Sequence, residues 1–139
     1  YTFFAPDELV LVTRTGGRYA RTESLTCEQL LSTPLVLREN GSGTLEVISA
    51  ALAAKGIRLS QLDVVMRLGT TEGIKGFVRN SDVLAIVSVT SVVDELRSGA
   101  LRIIDIEGLT LSRDFNFVHA EAEPARLVRQ FVDFARANR

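Results

Sequence analysis

Short runs of mainly apolar residues, rich in β-branched Val and Ile, alternate along this chain with longer amphipathic stretches. The runs fall at residues 9–12, 34–37, 64–66, 83–87 and 101–104, and each has the length of a buried strand. Near-continuous apolar runs of this kind are typical of strands that are covered on both faces of a mostly parallel sheet. Their alternation with helices predicts an α/β fold, doubly wound with right-handed crossover connections.

The stretches between the predicted strands carry the signals of helices. Apolar residues recur at helical spacing in three of them, at Leu45, Ile48 and Leu52, at Ile74, Phe77 and Val78, and at Val92, Val93 and Leu96. Gly99 follows the third group as a helix-ending residue. Thr26 and Gln29 have the spacing of a capping box ahead of Leu30 and Leu31, which predicts a further helix start.

The last part of the chain differs from this alternation. A predicted C-terminal helix carries one wide apolar stripe, made of Leu127, Val128, Phe131, Phe134 and Ala135. Pro124 is predicted at the first helical position, where its missing N–H group costs nothing. Residues 115–119 form another candidate strand, and residues 1–6 are also largely apolar. We expect these two ends to lie together outside the central layer.

Charge, hydropathy and cysteine content exclude several classes of protein. The chain has 16 Lys and Arg against 17 Asp and Glu, and the net charge of −1 argues against a nucleic-acid-binding footprint. No apolar run approaches the roughly 20 residues that span a bilayer, so no membrane contact is expected. A single cysteine, Cys27, excludes an internal disulfide and fits a reducing, cytoplasmic compartment. Because the chain opens at Tyr1 and Met66 is its only methionine, we interpret it as part of a longer protein.

The best local signal for a binding site follows the second predicted strand. It consists of Arg38, Asn40, Gly41, Ser42, Gly43 and Thr44. The glycines allow a sharp turn, after which the first N–H groups of the helix face outward and favour a carboxylate, sulfate or phosphate. Arg38 is an additional candidate partner through its guanidinium fork. The equally weighted alternative is a plain turn capped by Ser42 or Thr44.

Two further strand-to-helix junctions are rich in hydroxyl groups. Thr70 and Thr71 follow the third predicted strand, and Ser88, Thr90 and Ser91 follow the fourth. In an open α/β sheet, such junctions lie along the carboxyl edge of the strands, where ligands bind. Three junctions on one edge indicate a ligand site more strongly than any one alone, although helix capping is the alternative role of each hydroxyl.

The sequence lacks the constellations that catalysis or metal binding requires. The single histidine, His119, stands in a strand-like run with no other candidate catalytic residue close to it in the sequence, which favours a structural role. Cys27 has little support as a nucleophile, although it stands at a helix start. The nucleophile elbow and the HExxH and CxxC zinc patterns do not occur. We therefore predict a protein that is not an enzyme, with no catalytic residues, no metal site and no cofactor.

The order of these segments resembles the effector-binding region of LysR-type transcriptional regulators. Residues 9–13, 30–44, 68–75 and 93–101 are similar to the second regulatory subdomain of that family. Residues 126–136 resemble the terminal helix, which in the family returns to the first subdomain. The resemblance covers residues 6–137 and depends on the order and spacing of the segments rather than on one diagnostic motif.

The resemblance implies a periplasmic-binding-protein-like (type II) fold with a small-molecule cleft between two subdomains. All of residues 1–139 would belong to the effector-binding domain. Residues 8–112 would form its second regulatory subdomain, and residues 1–7 and 113–139 would be a returning strand and helix of the first. The winged helix-turn-helix domain that binds DNA in the family is absent from this chain. By the same resemblance, the turn at residues 40–44 and the Thr70 and Thr71 junction line the cleft.

Three functions therefore compete. The leading one is the ligand-sensing domain of a transcription regulator, which binds a small, anionic effector. Such a regulator is expected to form a homo-oligomer (dimer or tetramer) and to bind DNA only through the missing domain. The second is the solute-binding protein of a transporter, which shares the fold, but the similarity at residues 93–101 favours the regulator. The third is an enzyme on the same scaffold, which the lack of a catalytic constellation makes the weakest.

Overall fold

The computed structural model describes residues 1–120, 122 and 125–139. Their strands and α-helices follow one another as β1 (Thr2–Arg14), β2 (Ser24–Leu25), α1 (Cys27–Leu31), β3 (Leu35–Arg38), α2 (Gly43–Ala53), β4 (Val64–Leu68), α3 (Thr71–Arg79), β5 (Leu84–Ser88), α4 (Val93–Ser98), β6 (Leu101–Ile106), β7 (Leu111–Phe117) and α5 (Arg126–Ala137). Two short 3-10 helices, Leu59–Gln61 and Val89–Val92, precede β4 and α4. Each strand and helix that the sequence predicts corresponds to one of these elements.

The strands form one mixed sheet. Their order is β2-β6-β1-β5-β3-β4, and β7 also pairs with β1. β3 is parallel to β4 and β5, and β2 is parallel to β6, whereas β1 is antiparallel to β5 and β6. The strands β2 to β6 therefore all point in one direction, which confirms the predicted α/β fold with a mostly parallel sheet.

The first strand is longer than residues 9–12, where the sequence placed it. Val10 pairs with Val87 of β5, and Val12 pairs with Ile103 of β6, so this part of β1 lies in the middle of the sheet. Residues 2–6, at the beginning of β1, are not buried. The sequence therefore predicted a strand only for the buried section of β1, although residues 1–6 are also largely apolar.

Helices cover the sheet on both faces. Leu35 and Leu37 of β3 pack in one apolar cluster with Ile48 of α2. Val36, the residue between them, packs in a second cluster with Ile74 of α3. Because successive side chains of a strand point to opposite faces, α2 and α3 lie on opposite sides of the sheet. This is the doubly wound arrangement that the strand and helix pattern predicts.

The chain divides into two compact units. The larger is Glu8–Leu111, and the smaller consists of Tyr1–Asp7 and Ser112–Arg139. Within the smaller unit, Nε of Arg113 donates a hydrogen bond of 2.8 Å to Oδ2 of the buried Asp7 carboxylate. The Phe117 ring packs edge-on against Phe4 and Phe131, with centroids 5.0 Å and 6.1 Å apart. An ion pair and an aromatic cluster thus hold this unit together.

The elements of the smaller unit differ slightly from their predicted bounds. β7 ends at Phe117, so Val118 and His119 lie beyond the strand in which the sequence placed them. α5 begins at Arg126, and Pro124, predicted at a helix start, lies outside the described residues. Among the helices of the described part of the chain, none is long and apolar enough to cross a membrane.

Candidate functional site

The carboxyl ends of three parallel strands meet at one edge of the sheet. β3 lies between β4 and β5, so the segments that follow these three strands are neighbours. α2 follows β3, α3 follows β4, and the 3-10 helix Val89–Val92 follows β5. We call this region, made of residues 38–44, 67–72 and 88–91, the junction edge. The topology therefore brings together the three hydroxyl-rich junctions of the sequence.

Ser42 is the N-cap of α2. Its Oγ accepts a hydrogen bond from the N–H group of Leu45 at 3.1 Å, so the predicted capping role of Ser42 is present. Gly43 is the first residue of the helix, and its N–H group therefore has no partner inside the helix. An anion at this point would meet that N–H group, the Ser42 hydroxyl and the positive end of the helix dipole.

The turn before α2 is open to solvent. Asn40, Gly41 and Gly43 are exposed, whereas Ser42 and Thr44 are each only 9% exposed. Gly41 has a φ of +90°, a backbone conformation that favours glycine. Of the predicted site residues in this turn, Asn40, Gly41 and Gly43 are thus directly accessible to a ligand.

The guanidinium group of Arg38 is occupied by its neighbour in sequence. Nε and Nη2 of Arg38 donate to the two carboxylate oxygens of Glu39 at 2.9 Å and 3.1 Å. This bidentate hydrogen bond raises the pKa of Arg38 and holds the pKa of the Glu39 carboxyl below its usual value. The fork predicted for Arg38 is therefore formed within the protein, and any effector carboxylate would have to compete with Glu39.

Thr70 caps α3 in the same way that Ser42 caps α2. Its Oγ1 accepts a hydrogen bond from the N–H group of Gly73 at 3.0 Å. A Cβ atom at Gly73 would lie 2.9 Å from this oxygen, so a larger residue at this position would require the capping hydroxyl to shift. Thr71 is the first residue of the helix, with a half-buried side chain and an N–H group that has no partner inside the helix.

The third junction differs from the other two. The hydroxyl oxygens of Ser88 and Thr90 are 2.9 Å apart and share a hydrogen bond. Oγ of Ser91 donates to the carbonyl oxygen of Ser88 at 2.6 Å. These hydroxyls are therefore used within the junction itself, and a 3-10 helix rather than an α-helix follows the strand.

Lys75 of α3 is buried next to the junction edge, which the sequence did not predict. It is 7% exposed, and its Nζ lies 2.7 Å from Oε1 of Glu95, 3.0 Å from Oε1 of Glu72 and 2.8 Å from the carbonyl oxygen of Ser91. The hydrogen bond to Glu95 raises the pKa of Lys75 and lowers the pKa of Glu95. Lys75 thus connects α3 to the segment that follows β5.

Arg67 is a second charged residue that the sequence did not single out. It is exposed near the end of β4, and its Nη1 donates a hydrogen bond of 3.4 Å to the carbonyl oxygen of Arg38. Arg67 is exposed and contacts Arg38 because β4 is the last strand of the sheet and lies beside β3. No local sequence pattern indicates this position.

Cys27 and His119, the two residues whose chemistry the sequence raised, belong to different units of the described chain. Within residues 1–120, 122 and 125–139, no three His, Cys, Asp or Glu side chains are placed to hold a metal ion. Sγ of the half-buried Cys27 contacts the carbonyl oxygen of Glu107 at 3.8 Å. His119 belongs to the smaller unit, where with Arg129 and Arg136 it lines a cavity of about 430 Å³.

Relatives of known sequence match nearly the whole chain but only part of their own length. The chain is 35% identical over 138 residues to the phosphonates import ATP-binding protein PhnC of Anaeromyxobacter dehalogenans (strain 2CP-C), covering 99% of this chain and 28% of that protein. It is 31% identical over 129 residues to the uncharacterized HTH-type transcriptional regulator YeiE of Escherichia coli (strain K12), covering 92% of this chain and 43% of that protein. The chain thus spans less than half the length of either curated relative.

The fold also resembles a solved structure. The regulatory domain of Synechocystis PCC6803 CcmR, in complex with 2-PG, superposes with a TM-score of 0.80 at 21% identity over 99% of this chain and 65% of that chain. This likeness confirms the predicted periplasmic-binding-protein-like fold. The family model described as LysR substrate binding domain matches residues 1–139. The chain therefore belongs to the LysR substrate-binding domain family, as the order of its segments predicts.

Proposed function

We propose that this chain is the effector-binding domain of a LysR-type transcriptional regulator that responds to a small, anionic metabolite. The family match over residues 1–139 supports the proposal, as does the relative YeiE, which is named an HTH-type transcriptional regulator. The relative PhnC is named an ATP-binding protein rather than a solute-binding one, so it adds no support to the transporter alternative. The net charge of −1 gives residues 1–139 little electrostatic attraction to DNA, so the proposal assigns DNA contacts to another part of a longer protein.

The observation that carries the anionic character of the effector is the pairing of two helix starts. α2 and α3 begin at the carboxyl ends of adjacent parallel strands, at Ser42 and Thr70. Each helix start has a partial positive charge and N–H groups without helical partners. An effector with a carboxylate, sulfate or phosphate group would be stabilised there, with Asn40, Gly41 and Thr71 as further contacts. The CcmR domain, solved in complex with 2-PG, supports a small-molecule ligand for this fold.

The organisation of the complete regulator follows from the same proposal. Residues 8–112 act as the second regulatory subdomain, and residues 1–7 and 113–139 belong to the first, whose remainder supplies the opposite wall of the cleft. The protein works in the cytoplasm as a homo-oligomer, has no enzymatic activity and needs no cofactor. The division of the chain into Glu8–Leu111 and the two terminal segments supports this assignment of subdomains.

The proposal is tested on the complete regulator in two steps. Thermal unfolding is measured with 2-PG and with a set of small carboxylates, sulfonates and phosphate esters, each beside a neutral analogue of the same size. We expect an anionic compound, and not its neutral analogue, to raise the unfolding temperature. The same compound should alter DNA binding by the complete protein in an anisotropy titration, whereas residues 1–139 alone should not bind DNA at physiological salt. Tight, salt-sensitive DNA binding by residues 1–139 would contradict the proposal.

A further inference from the structure

Two guanidinium groups lie at the junction edge on neighbouring strands. Arg38 ends β3, and Arg67 is the penultimate residue of β4, where it pairs with Leu37 in the parallel register. Nη1 of Arg67 donates to the carbonyl oxygen of Arg38 at 3.4 Å. Because this carbonyl precedes the turn into α2, the side chain of Arg67 extends from the outer strand to the start of that turn.

The two arginines differ in how their charge is compensated. Arg38 uses Nε and Nη2 in a bidentate pair with Glu39. Among the described residues, Arg67 forms no ion pair with a carboxylate, and its one hydrogen bond goes to an uncharged carbonyl. A guanidinium group has five N–H donors, so most of those on Arg67 remain for another acceptor.

The carboxylates near these helix starts are largely engaged elsewhere. Glu39 is paired with Arg38. Glu72, in the first turn of α3, shares Lys75 with Glu95, and Arg79 lies 3.9 Å from Glu95, so the charges of these four side chains balance. Glu46, in the first turn of α2, is the exposed acidic residue that remains. The positive charge of Arg67 and of the two helix starts therefore exceeds the negative charge of Glu46. The region favours a negatively charged group for this reason.

We infer that Arg67 is the specificity-determining residue of the junction edge, and that it forms the ion pair with the oxyanion group of the ligand in place of Arg38. The inference rests on the proposed function and names the residue that recognises the charge. A guanidinium fork binds a carboxylate or a phosphate through two parallel N–H···O bonds, which an ammonium group does not reproduce. Arg67 can form this pair by giving up one long hydrogen bond to a carbonyl, whereas Arg38 would have to break a bidentate ion pair.

The experiment is a nuclear magnetic resonance titration of residues 1–139 with sodium phosphate and, separately, with sodium acetate. Ionic strength is kept constant with sodium chloride, and the amide signals of Gly43 and Thr71 are followed. The phosphate and acetate arms separate a preference for a phosphoryl group from a preference for a carboxylate. Arg67→Gln removes the charge and the fork, and Arg67→Lys keeps the charge alone. Arg38→Gln combined with Glu39→Gln tests the competing arginine without leaving the Glu39 carboxylate unpaired at the site. Arg21→Gln, at an exposed residue before β2, is the matched control.

We expect saturable shifts of both amides in the parent chain. Arg67→Gln should raise the apparent Kd about tenfold, in the range for a hydrogen bond between charged groups, and Arg67→Lys should raise it less. The double variant, which removes the charges of both Arg38 and Glu39, and Arg21→Gln should each stay within about twofold of the parent. Unchanged amide spectra away from the junction edge would show that each variant keeps the fold.

The other outcomes separate the inference from the proposed function. If the parent binds and Arg67→Gln binds as tightly, the role of Arg67 is refuted and the proposed anion site stands. The same conclusion follows if the double variant of Arg38 and Glu39 weakens binding as much as Arg67→Gln does. If neither anion moves the amides of the parent saturably, the anion site fails and the role of Arg67 fails with it.

Discussion

Nζ of Lys75 lies 2.7 Å from Oε1 of Glu95, in an ion pair whose side chains are only 9% and 12% exposed. Nζ also donates to the carbonyl oxygen of Ser91 and to Oε1 of Glu72, so each of its three donors has an acceptor. Oε2 of Glu95 is buried and has no hydrogen-bond partner in the described part of the chain. Because the pair joins α3 to the segment after β5, it fixes the spacing of two of the three junctions.

Removal of the Lys75 charge is expected to destabilise the protein. Lys75→Met should lower the free energy of unfolding by about 2–3 kcal/mol, because it leaves the enclosed Glu95 carboxylate without its partner. Urea denaturation followed by circular dichroism measures this change. Glu72→Gln is the control, since the Glu72 side chain is 80% exposed and should contribute less than about 1 kcal/mol. Equal losses in the two variants would show that the pair with Glu95 is not the stabilising one.

The same ion pair should make stability depend on pH at the acid end. The hydrogen bond from Lys75 holds the pKa of Glu95 below its ordinary value of 4.5. A carboxyl with a lowered folded-state pKa stabilises the protein above its unfolded-state pKa, and this stabilisation is lost as the pH falls through the folded-state value. We therefore expect the urea midpoint to fall as the pH drops below roughly 5, and to fall less steeply in Glu95→Gln. If the urea midpoint of Glu95→Gln depends on pH as steeply as that of the parent, the loss of stability at low pH belongs to Glu39 and Asp82, whose pKa values are also lowered.

Two glycines of α3 should respond oppositely to alanine. A Cβ atom at Gly76 meets nothing within 4 Å, so Gly76→Ala should raise the free energy of unfolding by about 0.5–1 kcal/mol through helix propensity. A Cβ atom at Gly73 would lie 2.9 Å from Oγ1 of Thr70 and displace the capping hydroxyl. Loss of a cap costs about 1 kcal/mol, so Gly73→Ala should gain nothing or lose stability. Thermal unfolding of both variants gives the comparison, and an equal gain in both would refute the steric role of Gly73.

The sequence predicted the elements of this fold better than their directions. Apolar runs and helical spacing found the buried parts of β3, β5, α2 and α3 because burial imposes a local periodicity. The antiparallel direction of β1 depends on contacts with strands far along the chain, such as Leu11 with Ile86, and no local pattern encodes it. Residues 2–6, which are not buried, were likewise not predicted as part of β1.

The candidate site was predicted in outline but not in its charges. The hydroxyl groups at Ser42 and Thr70 could be placed at helix starts, because capping residues have a sequence signature. The pairing of Arg38 with Glu39 depends on side-chain geometry, and a sequence shows both residues only as neighbours. The contact of Arg67 with the carbonyl oxygen of Arg38 joins residues on two strands and appears only when the sheet is assembled.

The apolar side of α5 should cause residues 1–139 to self-associate. Leu127, Phe131 and Phe134 are 76%, 61% and 67% exposed. Contiguous apolar surface of this kind drives association, so we expect dimers or larger species in sedimentation velocity at high protein concentration. Leu127→Ser combined with Phe134→Ser should shift the distribution toward monomer. Val65→Ser, at an exposed residue of β4, is the control and should leave the distribution unchanged. A monomeric parent chain at high concentration would contradict the prediction.

A carboxylate at the start of α3 should abolish binding of an anionic effector. Thr71 is the first residue of this helix, where glutamate is tolerated by the fold because it complements the helix dipole. In Thr71→Glu the new charge would occupy and repel the proposed anion site, so calorimetry on the complete regulator should detect no binding of the anion that stabilises the parent. Thr71→Ala is the matched variant and should weaken binding by only about 1–2 kcal/mol, the contribution of one hydrogen bond to a charged group. If Thr71→Glu binds that anion as tightly as the parent, the start of α3 serves only as a helix cap.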